Sequence, residues 1–445
     1  MMKKYSQIVR HPGNLPLFDI LDVSVTGTLA GIPIHVHAEG LRGTGKTTII
    51  RAYKEVFPKI NRIKGCLYNC DPVKPHCPQH RNLSSEQIEM LGIELIDMPF
   101  LEISPSAKKG TVVGSIDLRK LSSQSSPEAS LLLGTIPKAH RGIVFVDEIN
   151  RIADTSPEVV DLLLDVMGTK PGRIQIEEAG FPVIEIPVQV SIWSASNPDE
   201  DPGPLEEIRR QLSDRFDFTV KVERPTDALV IKNIISSDIS PEDNISVRRK
   251  MMQFVKVQNT VEQFEPTEEI KNILSSMYVD YNIESLRCIE ACLQGIKIRS
   301  ALSQRSPSID DIIFVAQCAL RHRADVKDLN KILRNLEQRK VSNGKIPSTI
   351  NTPVEHINKP HNSSQATQIK GNRNQKSNTF GFNSIKNMFR RFAENFKSAK
   401  GEKSIMNMSN SSPENIDLKA PPQKAIPIDK LDTAEYVKTD EELIK

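Results

Sequence analysis

The sequence predicts an α/β sheet domain joined to a smaller helical domain and a long disordered tail, and three observations predict it. Through residues 12–225, short β-branched runs alternate with helical patterns, as in a mostly parallel sheet flanked by helices. Residues 226–325 carry segments such as TDALVIKNII and SLRCIEACLQGIKIRSAL, which are amphipathic helical patterns with no strand between them. From residue 326 the composition turns to Asn, Ser, Lys, Pro and Gln, which bury too little apolar surface to offset chain entropy. Residues 1–11 read as an N-terminal tail.

The chain has 445 residues, 38% of them hydrophobic, which is ample for two packed domains. A net charge of +3 argues against a dedicated nucleic-acid binder, which concentrates basic residues on one face. MMKKYSQIVRHPGN has lysines but no apolar run after them, so it does not read as a secretory signal. No apolar stretch is long enough to span a membrane. These features lead to the expectation of a cytoplasmic protein whose six cysteines are thiols or metal ligands.

The central strands carry the chemistry. IPIHVHA (32–38) precedes GLRGTGKTT, which matches G-x-x-x-x-G-K-[ST] at Gly40, Gly45, Lys46 and Thr47 in its required strand–loop–helix setting. Glycines at 40, 43 and 45 let backbone N–H groups converge on phosphate oxygens. Lys46 would reach the β- and γ-phosphates of ATP. Thr47 would ligate Mg²⁺, and Thr48 completes the nucleotide-binding set. GIVFVDEIN (142–150) is an apolar strand ending in Asp147, suited to hold Mg²⁺, and Glu148, suited to act as general base on water. A third strand, VQVSIWSAS (188–196), ends at Asn197, whose amide could orient that water. EEIRRQLSDRFDF then supplies Arg215, which is either a guanidinium offered across a subunit boundary or a surface ion pair with Asp214.

The set GLRGTGKTT, GIVFVDEIN, SASNP and QLSDRF resembles the AAA+ ATPases, and more narrowly the I subunit of magnesium chelatase. AKKGTVVGSIDLRKL is similar to that family's β-hairpin inserted in a helix, and GRIQIEEAGFPVIEIP to its further hairpin before the third strand. The resemblance covers residues 12–323 and implies an AAA+ P-loop core with inserted β-hairpins. It implies Asn197 as first sensor, Arg215 as arginine finger, and Arg287 as second sensor, with Arg299 as a weaker candidate. It further implies a homo-oligomeric, commonly hexameric, ring. The partner would be a chelatase-type or von Willebrand A domain protein moved by ATP hydrolysis, for metal insertion in the chelatase case. Three other readings stand beside it: a MoxR-like chaperone acting with a separate A-domain protein, a nucleic-acid motor, and a nucleotide-gated scaffold that hardly hydrolyses. Asp22-Val-Ser24-Val-Thr26 resembles an A-domain metal motif only superficially, because the phosphate loop begins at Gly40 and leaves no room for that fold.

Residues 65–82, GCLYNCDPVKPHCPQHRN, form a separate constellation. The spacing Cys66-x₃-Cys70-x₆-Cys77-x₂-His80, with His76 also available, suits a structural Zn²⁺ site and less well an Fe–S cluster, which wants a fourth thiolate. The alternative is ordinary loop thiols. Cys288, Cys292 and Cys318 read as core packing. In the tail, FGFNSIKNMFRRFAENFKSAK (380–400) places Ile385, Phe389, Phe392 and Phe396 on one helical face. A partner groove, an anionic lipid surface and the chain's own lid all remain open as its binding surface.

Overall fold

The computed structural model describes residues 3–116, 131–177, 183–236 and 241–343. Packing begins at once. A 3-10 turn at Tyr5–Gln7 sets the Tyr5 ring edge-on to Phe18 and Tyr53, with centroids 6.1 and 5.2 Å away. The Tyr5 N–H donates to the Glu55 carboxylate at 3.0 Å. The expected tail over residues 1–11 therefore packs on the core through buried Tyr5, because one aromatic ring finds an aromatic cage.

Helix α1 (Leu15–Leu29) is buried on nearly every side. It absorbs the Asp22–Thr26 motif: Asp22 accepts from Lys250 and from the Tyr53 hydroxyl, and Ser24 donates to the Ile34 carbonyl. Strand β1 (Val36–Glu39) and helix α2 (Lys46–Ala52) flank the glycine loop. Then follow β2 (Lys59–Ile63), α3 (Ser85–Leu91), β3 (Ile93–Asp97), β4 (Phe100–Ile103), α4 (Lys109–Val113), β5 (Gly114–Ile116), β6 (Leu131–Leu133) and α5 (Thr135–Lys138). Strand β7 (Gly142–Val146), α6 (Ile149–Thr155), α7 (Pro157–Val166), β8 (Gly172–Ile176), β9 (Ile184–Val188) and β10 (Val190–Ser196) come next. Helices α8 (Leu205–Ile208) and α9 (Arg210–Arg215) and strand β11 (Phe218–Lys221) complete the core.

The five-stranded sheet runs β11-β1-β10-β7-β4 with every pairing parallel. All five residues of β7 and all seven of β10 are buried, as strands covered on both faces must be. Both inserted hairpins are present, β5 against β6 and β8 against β9, each antiparallel. Residues 117–130 and 178–182 between their strands lie outside the described residues.

The sheet centre contains a polar ladder. His37 on β1 pairs with Ser194 of β10 in register. Its Nδ1 bonds the Ser194 hydroxyl at 2.8 Å and its Nε2 the Ser196 hydroxyl at 2.9 Å. Burial lowers His37 to about 4 and His35 to about 3, opposed only in part by the Glu206 and Asp217 carboxylates.

The helical part comprises α10 (Ala228–Ile235), α11 (Pro241–Gln258), α12 (Glu268–Asp280), α13 (Leu286–Ser303), α14 (Ile309–Ala319) and α15 (Val326–Asn343). Helix α15 corrects the expected start of the disordered tail at residue 326. Leu329, Ile332, Leu333 and Leu336 are buried, so the helical domain runs on to residue 343. Residues 344–445, including the amphipathic segment 380–400, lie outside the described residues. Cys288, Cys292 and Cys318 are buried core residues, as expected. Among the described residues no helix is long and apolar enough to cross a membrane.

The two histidines give the fold a pH dependence of definite sign. An unfolded histidine titrates near 6.5, so between about pH 6.5 and 4 the unfolded chain binds more protons than the folded one. Stability is thus full above about pH 6.5 and falls as the pH drops towards 4. His37→Leu should cost about 1–3 kcal/mol at pH 7, because two buried hydroxyls lose their partner, and should flatten this acid slope. Chemical denaturation across pH 4.5–7.5 measures both.

Candidate functional site

Because the sheet is parallel, the carboxyl ends of β1, β10 and β7 open on one edge, where ligands bind in such sheets. The loop after β1 needs its glycines for two different reasons. At Gly40 a Cβ would lie 2.3 Å from the Val222 carbonyl oxygen, so the requirement is close approach to the segment after β11. Gly43 and Gly45 have φ of +79° and +87° and nothing within 4 Å of a Cβ position, so they leave an open cradle. The Lys46 ammonium donates to the carbonyls of Gly40 and Leu41. Burial lowers its pKa, opposed by Asp147 and Glu200.

Asp147, directly after β7, is held from three sides. The Thr47 hydroxyl donates to Oδ1 at 3.2 Å, the Glu148 N–H to the same oxygen at 3.2 Å, and Arg51 Nη2 to Oδ2 at 3.3 Å. Arg51 also binds the Glu102 carboxylate through Nε and Nη2, at 3.1 and 2.9 Å. Glu148 stands in the left-handed region, φ 52°, at the start of α6, which is strained for a residue with a side chain. Its carboxylate is half-exposed and pairs with Arg151 at 3.2 Å. At the end of β10, the Asn197 side-chain oxygen accepts from the Asp199 N–H at 3.4 Å, and its carbonyl accepts from Asn150 at 3.3 Å. One pocket is lined by Gly43, Gly45, Lys46, Thr47, Thr48, Asp147, Glu148, Asn197 and Glu200.

Two expected residues lie elsewhere. Arg215 and Arg287 both donate to the Gly168 carbonyl, at 3.3 and 3.0 Å, and line a second pocket with Lys170 and Arg323. Arg287 is thus beside the expected finger and does not line the pocket of its own phosphate loop. The cause is the start of α13, which packs over the segment between α7 and β8. Arg299 is engaged away from the pocket: it donates to buried Asp311 at 3.1 Å, pairs with Asp19 of α1 at 3.9 Å and stacks over Phe314. Sequence reasoning missed Arg51 and Glu200. Arg51 sits one helical turn after Thr47, and that i,i+4 spacing was the available signal. It also missed Arg323, whose guanidinium donates to the Asp214 carboxylate and to the carbonyls of Asp214, Phe216 and Asp217. This clamp holds the turn that carries Arg215.

The cysteine loop between β2 and α3 gathers the Cys66, Cys70 and Cys77 sulfurs and one His80 ring nitrogen within 4.8 Å of one another. The three thiols are buried. Mutual hydrogen bonds pull the Cys66 thiol down, with Cys70 the main donor, while Cys66 pushes Cys70 up to about 11 and raises Cys77.

The parallel sheet, phosphate loop, two inserted hairpins and helical lid define the class: a AAA+ P-loop core. No family model matches the chain, but individual relatives do. It is 30% identical over 301 residues to the magnesium-chelatase subunit ChlI of Cyanidium caldarium, spanning 64% of this chain and 80% of that one. It is 29% identical over 316 residues to the magnesium-chelatase 38 kDa subunit of Acidiphilium rubrum, spanning 68% and 86%. To the chloroplastic subunit ChlI of Glycine max it is 26% identical over 332 residues, spanning 71% and 73%. The chain belongs to the magnesium chelatase I subunit family.

The Arg323 clamp makes a local prediction. Arg323→Met should raise amide hydrogen exchange in residues 213–218 at least about tenfold, because several backbone carbonyls lose their donor at once. Exchange in residues 44–50 should not change. Mass-spectrometric hydrogen exchange reads both segments in one experiment.

Proposed function

We propose that the chain is an ATP-hydrolysing ring subunit of magnesium-chelatase type that couples hydrolysis to movement of a partner. One observation carries this reading: the glycine loop, Asp147 with Glu148, and Asn197 meet at the carboxyl ends of three adjacent parallel strands.

The residues fit MgATP. The open positions at Gly43 and Gly45 leave room for phosphate oxygens against backbone N–H groups. Thr47 and Asp147 already share a hydrogen bond and present a hydroxyl and a carboxylate side by side, the oxygen donors that Mg²⁺ takes. The bound ion would neutralise charge between the β- and γ-phosphates. Lys46 would turn from the carbonyls of Gly40 and Leu41 to those phosphates. Glu148, released by Arg151, would take a proton from water. The Asn197 side-chain NH₂, with its oxygen held by Asp199, would orient the same water.

Arg215 and Arg287 line a separate pocket, so their charge would be available to the nucleotide of an adjoining subunit. Both would act across the boundary of a homo-oligomeric ring, commonly six subunits, and stabilise charge on the transferring phosphoryl group. The partner moved by the ring would be a chelatase-type subunit or a von Willebrand A domain protein, and the metal insertion would take place there.

Glu148→Gln should bind ATP normally and lower turnover at least about 100-fold. Arg215→Ala should also bind and fail to turn over. Mixing the two inactive variants should restore activity, because about a quarter of the interfaces in mixed rings would carry an intact Glu148 facing an intact Arg215. A steady-state assay of the mixture gives the answer. No recovery would show that Arg215 does not act in trans, and wild-type turnover by Glu148→Gln would remove it as the base. Arg287→Ala mixed with Glu148→Gln tests whether Arg287 belongs with Arg215.

A further inference from the structure

We propose that Cys66, Cys70, Cys77 and His80 hold one zinc ion that closes the 64–84 loop onto the sheet. This goes beyond the nucleotide reading and does not depend on it.

Residues 64–84 contain no helix or strand. Twenty-one residues without regular structure inside a packed domain need something else to order them. What the loop has is a cluster of three thiols and an imidazole, brought from two separate turns to within 4.8 Å. A tetrahedral zinc with bonds near 2.3 Å to sulfur sets its ligands about 3.8 Å apart, so closing by about 1 Å or less completes the site. Three thiolates and one histidine are a structural zinc set, and zinc suits it better than a harder cation, which would want oxygen.

The surroundings are built as an outer shell. The N–H groups of His76 and Cys77 point at the Cys70 sulfur, at 3.4 and 3.3 Å, and so does the His76 ring nitrogen at 3.2 Å. Such N–H···S bonds orient and stabilise a metal-bound thiolate. The His76 ring stacks on His140 at 3.6 Å, and His140 accepts from the Gln189 N–H. His76 therefore reads as a second layer, with His80 as the ligand. Ile63, Val112 and Ile136 pack with the thiols in the same core cluster, which shields the site from solvent. On binding, each thiol gives up its proton to solvent and the ion is neither oxidised nor reduced.

The brace bears on the strand next to it. Arg141 pairs with Asp71 at 3.1 Å and the Asn69 amide donates to the Lys138 carbonyl at 2.7 Å. Both contacts tie the loop to the segment entering β7, the strand that presents Asp147 and Glu148.

Full-length protein purified under reducing conditions without chelator should carry about one zinc per chain by elemental mass spectrometry. Cys77→Ser and His80→Ala should fall to about a tenth of that or less, and His76→Ala should keep it. His80→Cys, which preserves a four-ligand set, should retain the metal. Its cobalt-substituted form should gain thiolate-to-cobalt absorption over wild type, which answers the case in which other variants fail to fold. Wild-type protein that holds no metal after incubation with zinc chloride and desalting would overturn the proposal. So would iron with acid-labile sulfide in place of zinc, or full retention by both Cys77→Ser and His80→Ala.

Discussion

The site depends on the register of β1 against β10, and a buried histidine sets that register. His37 buries both ring nitrogens, and Ser194 and Ser196 satisfy them. A slip of one residue would turn the ring to the other face of the sheet and leave three polar groups unpaired in the core. With the register held, Glu39 stands opposite Ser196, so the phosphate loop and Asn197 leave the sheet at one level. Strand β10 passes the same register to β7, where Ser194 stands opposite Val146, one residue before Asp147. A hydrophobic residue at 37 would pack more cheaply but would choose among registers less sharply.

A second constraint works from the helical domain. The few residues after α14 reach two parts of the core at once. Arg321 pairs with Glu39 at the end of β1 at 3.2 Å, and Arg323 clamps residues 214–217. One short segment therefore touches both the strand that leads into the phosphate loop and the turn that carries Arg215. A displacement of the lid would be felt at both faces together, which is the kind of element that can link the state of one pocket to the neighbouring one. Arg323 suits the task because its planar fork meets several carbonyls and a carboxylate at once, as a lysine could not.

Much of this was legible in the sequence where local chemistry decides it. GIVFV reads as a buried parallel strand, RIQIEE–FPVIEIP as a hairpin, and the phosphate loop from its glycine spacing. The cysteine spacing points to one cluster, and Cys66, Cys70, Cys77 and His80 do lie together. Elsewhere a local signal was present but averaged away. VKDLNKILRNLEQRK has Leu329, Ile332, Leu333 and Leu336 at helical spacing, yet it begins a tail whose overall composition reads as disordered. H-x-H in β1 and S-x-S in β10 share the strand period, and their pairing becomes visible only once the strands are neighbours. Arg287 could not be placed from sequence at all. Its helix was readable, but which pocket that helix overlies is set by lid-to-core packing between residues more than a hundred positions apart.

Asp147 and Glu148 show how two adjacent carboxylates come to differ. Asp147 is fixed by a hydroxyl and a guanidinium one turn apart on α2 and by the backbone N–H of the next residue. It can hold a position without choosing among rotamers. Glu148 has one flexible partner, Arg151, on the same helix turn, and about half of its side chain is open to solvent. The left-handed backbone at Glu148 ends the strand abruptly and begins a new helix at the next residue, so the two side chains leave the chain in different directions. Strain of about 1 kcal/mol or more at that residue must be offset by the surrounding fold. The buried strand before it and the buried Ile149 and Ile152 after it supply that support. A rigid carboxylate and a movable one require unlike surroundings, and a single strained backbone position provides them within two residues.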